Sequence, residues 1–185
     1  MFWGVRAEMM TIGHSTLSIE AFLRALTENG VEMLVDVRRF PGSRRHPQFS
    51  QATLFRSVED VGIRGVWREG LGGRRQTTLD SVNTGWRNES FRGYADYMQT
   101  AAFGAEIDWL VGLPEIDRTV VMCAEAVPWR CHRSLIADAV MARGVPVEDV
   151  FVKPDGASER RPHEMTAFAK VREGKVWYPG EPVLF

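Results

Sequence analysis

The sequence predicts an α/β fold: a single domain over residues 1–185, with an open, mostly parallel sheet and helices on both faces in a Rossmann-like three-layer arrangement. Three observations predict it. Short apolar runs of strand length alternate with longer stretches of helical periodicity. The run Met33-Leu34-Val35 is continuously apolar, as in a parallel strand covered on both faces. A chain of 185 residues, 44% hydrophobic and 25% charged, suits one core burying ~70% of its unfolded surface.

Glu8 to Ile12 reads as the first strand, ending in Gly13-His14-Ser15-Thr16. A helix follows: Ser18 is placed to cap it, Leu17 and Phe22 form a hydrophobic staple, and Ile19, Phe22, Leu23 and Leu26 make a stripe that stops before Gly30. Val31 to Val37 is the second strand. Phe40 to Gln48 carries Pro41, Gly42 and Pro47 and reads as a loop. Ser50 then opens a helix with Leu54, Val58 and Val61 on one face and Gly62 as its stop, and Ile63 to Trp67 is the third strand. Gly70 to Gly73 breaks the chain, and Arg74 to Glu89 is a polar, aperiodic insertion. Phe91, Tyr94 and Met98 mark one helix, and Phe103, Ile107, Leu110 and Val111 another before Gly112 and Pro114. Thr119 to Cys123 is the fourth strand. Leu135, Ile136, Ala139 and Val140 mark a helix closed by Gly144, and Val145 to Val152 is the fifth strand. A last short helix is expected over Met165 to Glu173.

Near-average Gly and Pro content excludes a collagen-like chain, and the hydrophobic fraction excludes a largely disordered one. No apolar run approaches the ~18 residues of a membrane span, and Arg6 and Glu8 interrupt any signal-peptide core, so a cytoplasmic protein without a membrane partner is expected. Two cysteines are too few for a disulfide scaffold. A net charge of -1 supplies no global field for nucleic acid, so any anion site must be local. Only Lys153, Lys170 and Lys175 of the 23 basic residues are lysine, a bias that suits bidentate anion recognition and that genome composition also produces.

In open α/β sheets ligands bind beyond the carboxyl ends of the strands. The loops there carry His14 and Ser15 after the first strand, then Asp36, Arg38, Ser43 and Arg44 after the second. Arg68, Glu69, Gly72, Gly73 and Arg74 follow the third, and Cys123, Glu125, Arg130, Cys131, His132 and Arg133 the fourth. The passage from Cys123 into a helix places main-chain N–H groups and arginines where an anion can sit. A cysteine there has its thiolate favoured, and the bland alternative is packing. Asp36 with Arg38 is either a solvated turn pair or an acid/base group held in a cleft. His14 and His163 read as structural, His14 buttressing its own turn.

Cys123 with Arg130 approximates the phosphatase or rhodanese-like order of cysteine, loop and arginine, with a longer loop. Cys123-Ala124-Glu125 opens like a zinc deaminase signature, but Pro128, Cys131 and His132 do not complete it. No metal is assigned, because adjacent Cys131 and His132 are expected to point apart on a helix.

Thr11-Ile12-Gly13-His14-Ser15, Asp36-Val37-Arg38 with Pro41 and Ser43-Arg44, Leu71-Gly72-Gly73, and Cys123-Ala124-Glu125 with Pro128 and Cys131-His132-Arg133 together resemble one family. It is the bacterial and archaeal domain of unknown function family 488. The blocks span about residues 10 to 165, leaving 166–185 as a tail. The resemblance implies an α/β domain and brings no reaction with it. Its polar motif positions fall on His14, Ser15, Asp36, Arg38, Ser43, Arg44, Cys123, Glu125, Cys131, His132 and Arg133. Where family members carry a His-Ile pair at the end of the fifth strand, this chain has Phe151-Val152-Lys153.

The leading expectation is an enzyme, a hydrolase or transferase, acting on a phosphorylated or otherwise anionic substrate such as a nucleotide or a nucleic-acid end. Arg38, Arg44 and Arg133 would bind the anion with Ser15, Ser43, Arg130, Cys131 and His132 around it. Glu125 or Asp36 would move a proton, with His14 in the same catalytic group, and Cys123 would be the nucleophile or a tuned polar group. The rivals are a non-catalytic module binding nucleic acid or a partner, with Trp67, Trp86 and Trp129 for stacking, and a redox or metal protein using Cys123 and Cys131.

Overall fold

The computed structural model describes residues 8–42 and 45–180. Five parallel strands form most of one sheet: β1 (Met9–Gly13), β2 (Met33–Asp36), β3 (Arg64–Trp67), β4 (Thr119–Cys123) and β5 (Val147–Val152), with β6 (Ser158–Pro162) added antiparallel on the β5 edge. The spatial order is β3-β2-β4-β1-β5-β6. Helices α1 (Ile19–Glu28), α2 (Gln51–Glu59), α3 (Glu89–Tyr97), α4 (Ala101–Gly112) and α5 (Arg133–Ala142) cover the sheet. The mostly parallel sheet with its helices fits a single α/β domain. No helix among the described residues is long and apolar enough to cross a membrane.

Successive strand residues face opposite sides, and the core divides accordingly. Met10, Ile12, Leu34, Val120 and Met122 pack with α1 and α2, whereas Met9, Val35, Val121 and Cys123 pack with α3, α4 and α5. The continuous apolar runs of β2 and β4 arise because both sides are covered. β4 lies between β2 and β1, which lead to helices on one face, while β4 itself leads to α5 on the other. Neighbouring chains therefore diverge beyond the end of β4 and open a crevice there.

Ser18 caps α1 by accepting from the Ala21 N–H at 3.1 Å. Ser50 stands at the cap position of α2, but its hydroxyl donates to Thr53 Oγ1 at 2.8 Å instead of closing the helix end. Val61 lies past the end of α2 and is 42% exposed, so it does not share the Leu54 and Val58 face. The expected insertion from Arg74 to Glu89 is irregular as far as Asn88, where α3 takes over, but anchored: Thr78, Ser81 and Asn83 all donate to the Asp96 carboxylate. Burial alone would raise the Asp96 pKa, and these hydrogen bonds outweigh it and lower it.

The helix expected over Met165 to Glu173 does not form. That stretch contains a turn and then β7 (Lys170–Arg172), which pairs antiparallel with β8 (Lys175–Trp177). Glu173 and Gly174, at φ 53° and 73°, supply the two left-handed residues of a tight hairpin, and Lys-Val-Arg and Lys-Val-Trp alternate on either side. The hairpin is tied to the body through Val176 and Tyr178, both buried, with Tyr178 Oη donating to Asp138 Oδ2 at 2.8 Å.

Candidate active site

Register places the β1 and β4 ends side by side, with Gly13 opposite Cys123 and Asp36 of β2 opposite Met122. The pairing continues into the loops: the His14 N–H donates to Cys123 O at 3.0 Å, Ser15 N–H to Ala124 O at 2.9 Å, and Val37 N–H to Met122 O at 3.0 Å. Gly13 is required by close approach, because a Cβ there would overlap the Glu125 carbonyl oxygen. The loop after Cys123 is held from below by Arg133, the first residue of α5 and 1% exposed. Its Nη1 donates to Glu125 O and its Nη2 to Ala126 O at 3.0 Å.

Asp36 and Arg38 are not a solvated turn pair. Both are buried, and Arg38 donates through Nε to Asp36 Oδ1 at 2.9 Å and through Nη2 to Oδ2 at 2.6 Å. Nη1 donates to Phe49 O at 2.7 Å and reaches His14 Nε2 at 3.4 Å. His14 Nδ1 lies 2.9 Å from the Ser15 carbonyl, which can only accept, so Nδ1 carries the proton and Nε2 receives Arg38. Burial, then the Arg38 charge, lowers the His14 pKa to about 4. The ring is stacked on Phe49 at 4.2 Å. Asp36, Arg38 and His14 thus form a buried brace behind the crevice.

Cys123, Cys131 and His132 converge at its floor, with their ligand-type atoms all within 4.8 Å of one another. This corrects the expectation that Cys131 and His132 point apart. Cys131 is not helical: it is extended, at φ -133° and ψ 142°, after the 3-10 turn Pro128–Arg130, and α5 begins only at Arg133. His132 Nε2 lies 3.1 Å from the Val37 carbonyl and must donate to it, which leaves the Nδ1 lone pair facing Cys123 Sγ at 4.0 Å and Cys131 Sγ at 3.8 Å. A hydrogen bond from Cys131 lowers the Cys123 pKa against the cost of burial, aided by the Arg133 charge and the Ala124 and Glu125 N–H groups. The same hydrogen bond, together with burial, raises that of Cys131. The two thiols are therefore pushed in opposite directions. Two sulfurs and an imidazole whose other nitrogen is held by a carbonyl are also a donor set able to hold a soft cation.

Above them lies a pocket of about 290 Å³ whose walls include Cys123, Glu125, Arg130, Cys131 and His132. Arg38 also borders it, with its donors engaged inward. Arg39 and Arg74 join Arg130 in the wall, and none of these three forms an ion pair among the described residues. Phe40 and Phe91 complete the opening. His14, Ser15, Asp36 and Arg133 are not among the wall residues, and of these His14, Asp36 and Arg133 brace the structure behind it. Ser43 and Arg44 lie outside the described residues. Of the stacking candidates, Trp67 donates to Arg38 O at 2.9 Å and Trp86 is stacked on Phe91 at 4.7 Å, while Trp129 is 64% exposed.

Comparison with curated proteins and with solved structures gives no match. The family model described as domain of unknown function DUF488 matches residues 18–140, a span that includes Asp36, Arg38 and the whole Cys123 to Arg133 segment but leaves His14 and Ser15 outside. That span exceeds half of the 185 residues, and the chain belongs to the DUF488 family.

Proposed function

We propose that the protein is a cysteine-dependent enzyme acting on phosphomonoesters, with Cys123 as the nucleophile. The observation that carries this reading is the placement of Cys123 in the lining of an arginine-walled pocket, its Sγ within 4.8 Å of the Cys131 sulfur and 4.0 Å from an imidazole lone pair. Arg39, Arg74 and Arg130 hold the phosphoryl oxygens and offset their charge. Cys123 thiolate attacks phosphorus, an S–P bond forms, and the P–O bond to the leaving group breaks. Glu125, exposed in the pocket wall, gives its proton to the departing oxygen. Water then attacks phosphorus, Glu125 takes a proton from it, and the S–P bond breaks to release phosphate and restore the thiolate. Asp36 has no part in proton transfer, since its two oxygens hold Arg38.

The test is phosphate release from an aryl phosphate and from a panel of natural phosphomonoesters. Cys123→Ser is expected to abolish release, and Glu125→Gln to slow it by roughly 10²–10⁴-fold. Undiminished release by Cys123→Ser, or no release from any phosphomonoester by the folded native chain, contradicts the proposal.

A further inference from the structure

A second cavity, about 800 Å³, has no lining residue in common with the cysteine pocket, but two of its walls carry neighbours of that pocket's lining. One wall is the Pro128–Arg130 turn, where Pro128 and Trp129 line the second cavity and Arg130 lines the first. The other is an aromatic pair: Trp86 lines the second cavity, Phe91 the first, and their rings stack at 4.7 Å. The second cavity lies in the range of small-molecule sites, ~300–1,000 Å³, and is far larger than a phosphate needs.

Its surfaces are those of a ring-binding site. Trp129 presents an open face, 64% exposed, with Phe151 as its ring neighbour at 6.2 Å. Arg161 sits over Phe151 at 5.1 Å, which leaves the Trp129 face as the open platform. Ser134, Asp149 and His163 line the same cavity but spend their polar atoms within the protein, whereas the Glu164 carboxylate and the Thr166 hydroxyl, in the same lining, have no hydrogen-bond partner among the described residues. Hydrocarbon chains or a bare phenyl ring would leave those groups without use. A planar heterocycle, with apolar faces and a polar edge, matches both.

We infer that the second cavity takes the base of a nucleoside monophosphate whose phosphate sits among Arg39, Arg74 and Arg130, with the sugar crossing the rim formed by Trp129 and Arg130. This inference rests on the phosphomonoester reading above and names its substrate class. Stacking of a base on an aromatic face is expected to raise affinity roughly five- to hundred-fold over the same phosphate without a base.

The experiment is calorimetric titration of the Cys123→Ser chain, which holds substrate without turnover, with inorganic phosphate, ribose 5-phosphate and the four common nucleoside 5′-monophosphates. The expected result is that at least one nucleotide binds five-fold or more tightly than ribose 5-phosphate. Trp129→Ala is expected to remove that gain and leave inorganic phosphate binding unchanged. Phe151→Ala, a second variant in the same cavity, is expected to reduce the gain. Nucleotides that bind no better than ribose 5-phosphate, or a gain that survives both substitutions, overturn this inference alone. Failure of both inorganic phosphate and ribose 5-phosphate to bind overturns the phosphomonoester reading and this inference with it.

Discussion

At the scale of single residues, the buried charges behind the crevice have measurable consequences. Asp36→Asn leaves the Arg38 guanidinium without its counter-charge in a site where both groups are buried. Breaking such a pair is expected to cost about 3–5 kcal/mol, read from urea unfolding. A loss below about 1 kcal/mol, the level of a surface pair, would contradict the brace. His14 gives a pH signature. Its folded pKa of about 4 lies below the ordinary 6.5, so its contribution is present above pH 6.5 and declines as pH falls toward 4. Thermal melts are expected to show that decline in the native chain and a shallower one in His14→Phe. Of these residues, His14, Asp36, Arg38 and Cys123 were legible as polar groups at strand ends. Their division into a brace and a reactive floor was not, because it depends on the inward course of the Arg38 and Arg133 side chains, which strand and helix patterns leave open.

At the scale of elements, the parallel strands were legible because each is an apolar run bounded by glycine or polar loop residues. The C-terminal elements were not. β6, Ser-Glu-Arg-Arg-Pro, is mostly exposed at the sheet edge and lacks an apolar signal, and the spacing of Met165 to Glu173 suggested a helix where the Glu173-Gly174 turn makes a hairpin. The segment after β6 is fastened by His163, whose Nδ1 lies 2.7 Å from Asp149 and Nε2 3.2 Å from Asp138. Burial opposes the His163 charge, but the Asp138 and Asp149 hydrogen bonds outweigh it and push the pKa up to about 9. A raised folded pKa means stability fully present below pH 6.5 and lost as pH rises through about 9. Melting temperature is therefore expected to fall between pH 6.5 and 9.5 in the native chain, and His163→Gln is expected to flatten that slope. An equal slope in both would assign it to another group.

At the scale of the whole molecule, strand order turns scattered sequence blocks into one site. β4 sits between β1 and β2, so residues far apart in the chain meet beyond its end. A net charge of -1 leaves attraction of anions to a local group of arginines, and raised salt is expected to weaken phosphate binding, as is loss of Arg39 or Arg130. Lowering of binding by Arg39→Ala and Arg130→Ala, checked by the same titrations, would separate that wall from the buried Arg38 and Arg133.

The most direct measurement is the alkylation rate of each cysteine by iodoacetamide across pH, resolved by peptide mass. Cys123 is expected to react with a midpoint below that of a free thiol, about 8.5, and Cys131 to stay unreactive well above it. Cys131→Ala is expected to move the Cys123 midpoint upward. Equal midpoints near the free-thiol value for both cysteines would contradict an activated Cys123 and remove the nucleophile from the account.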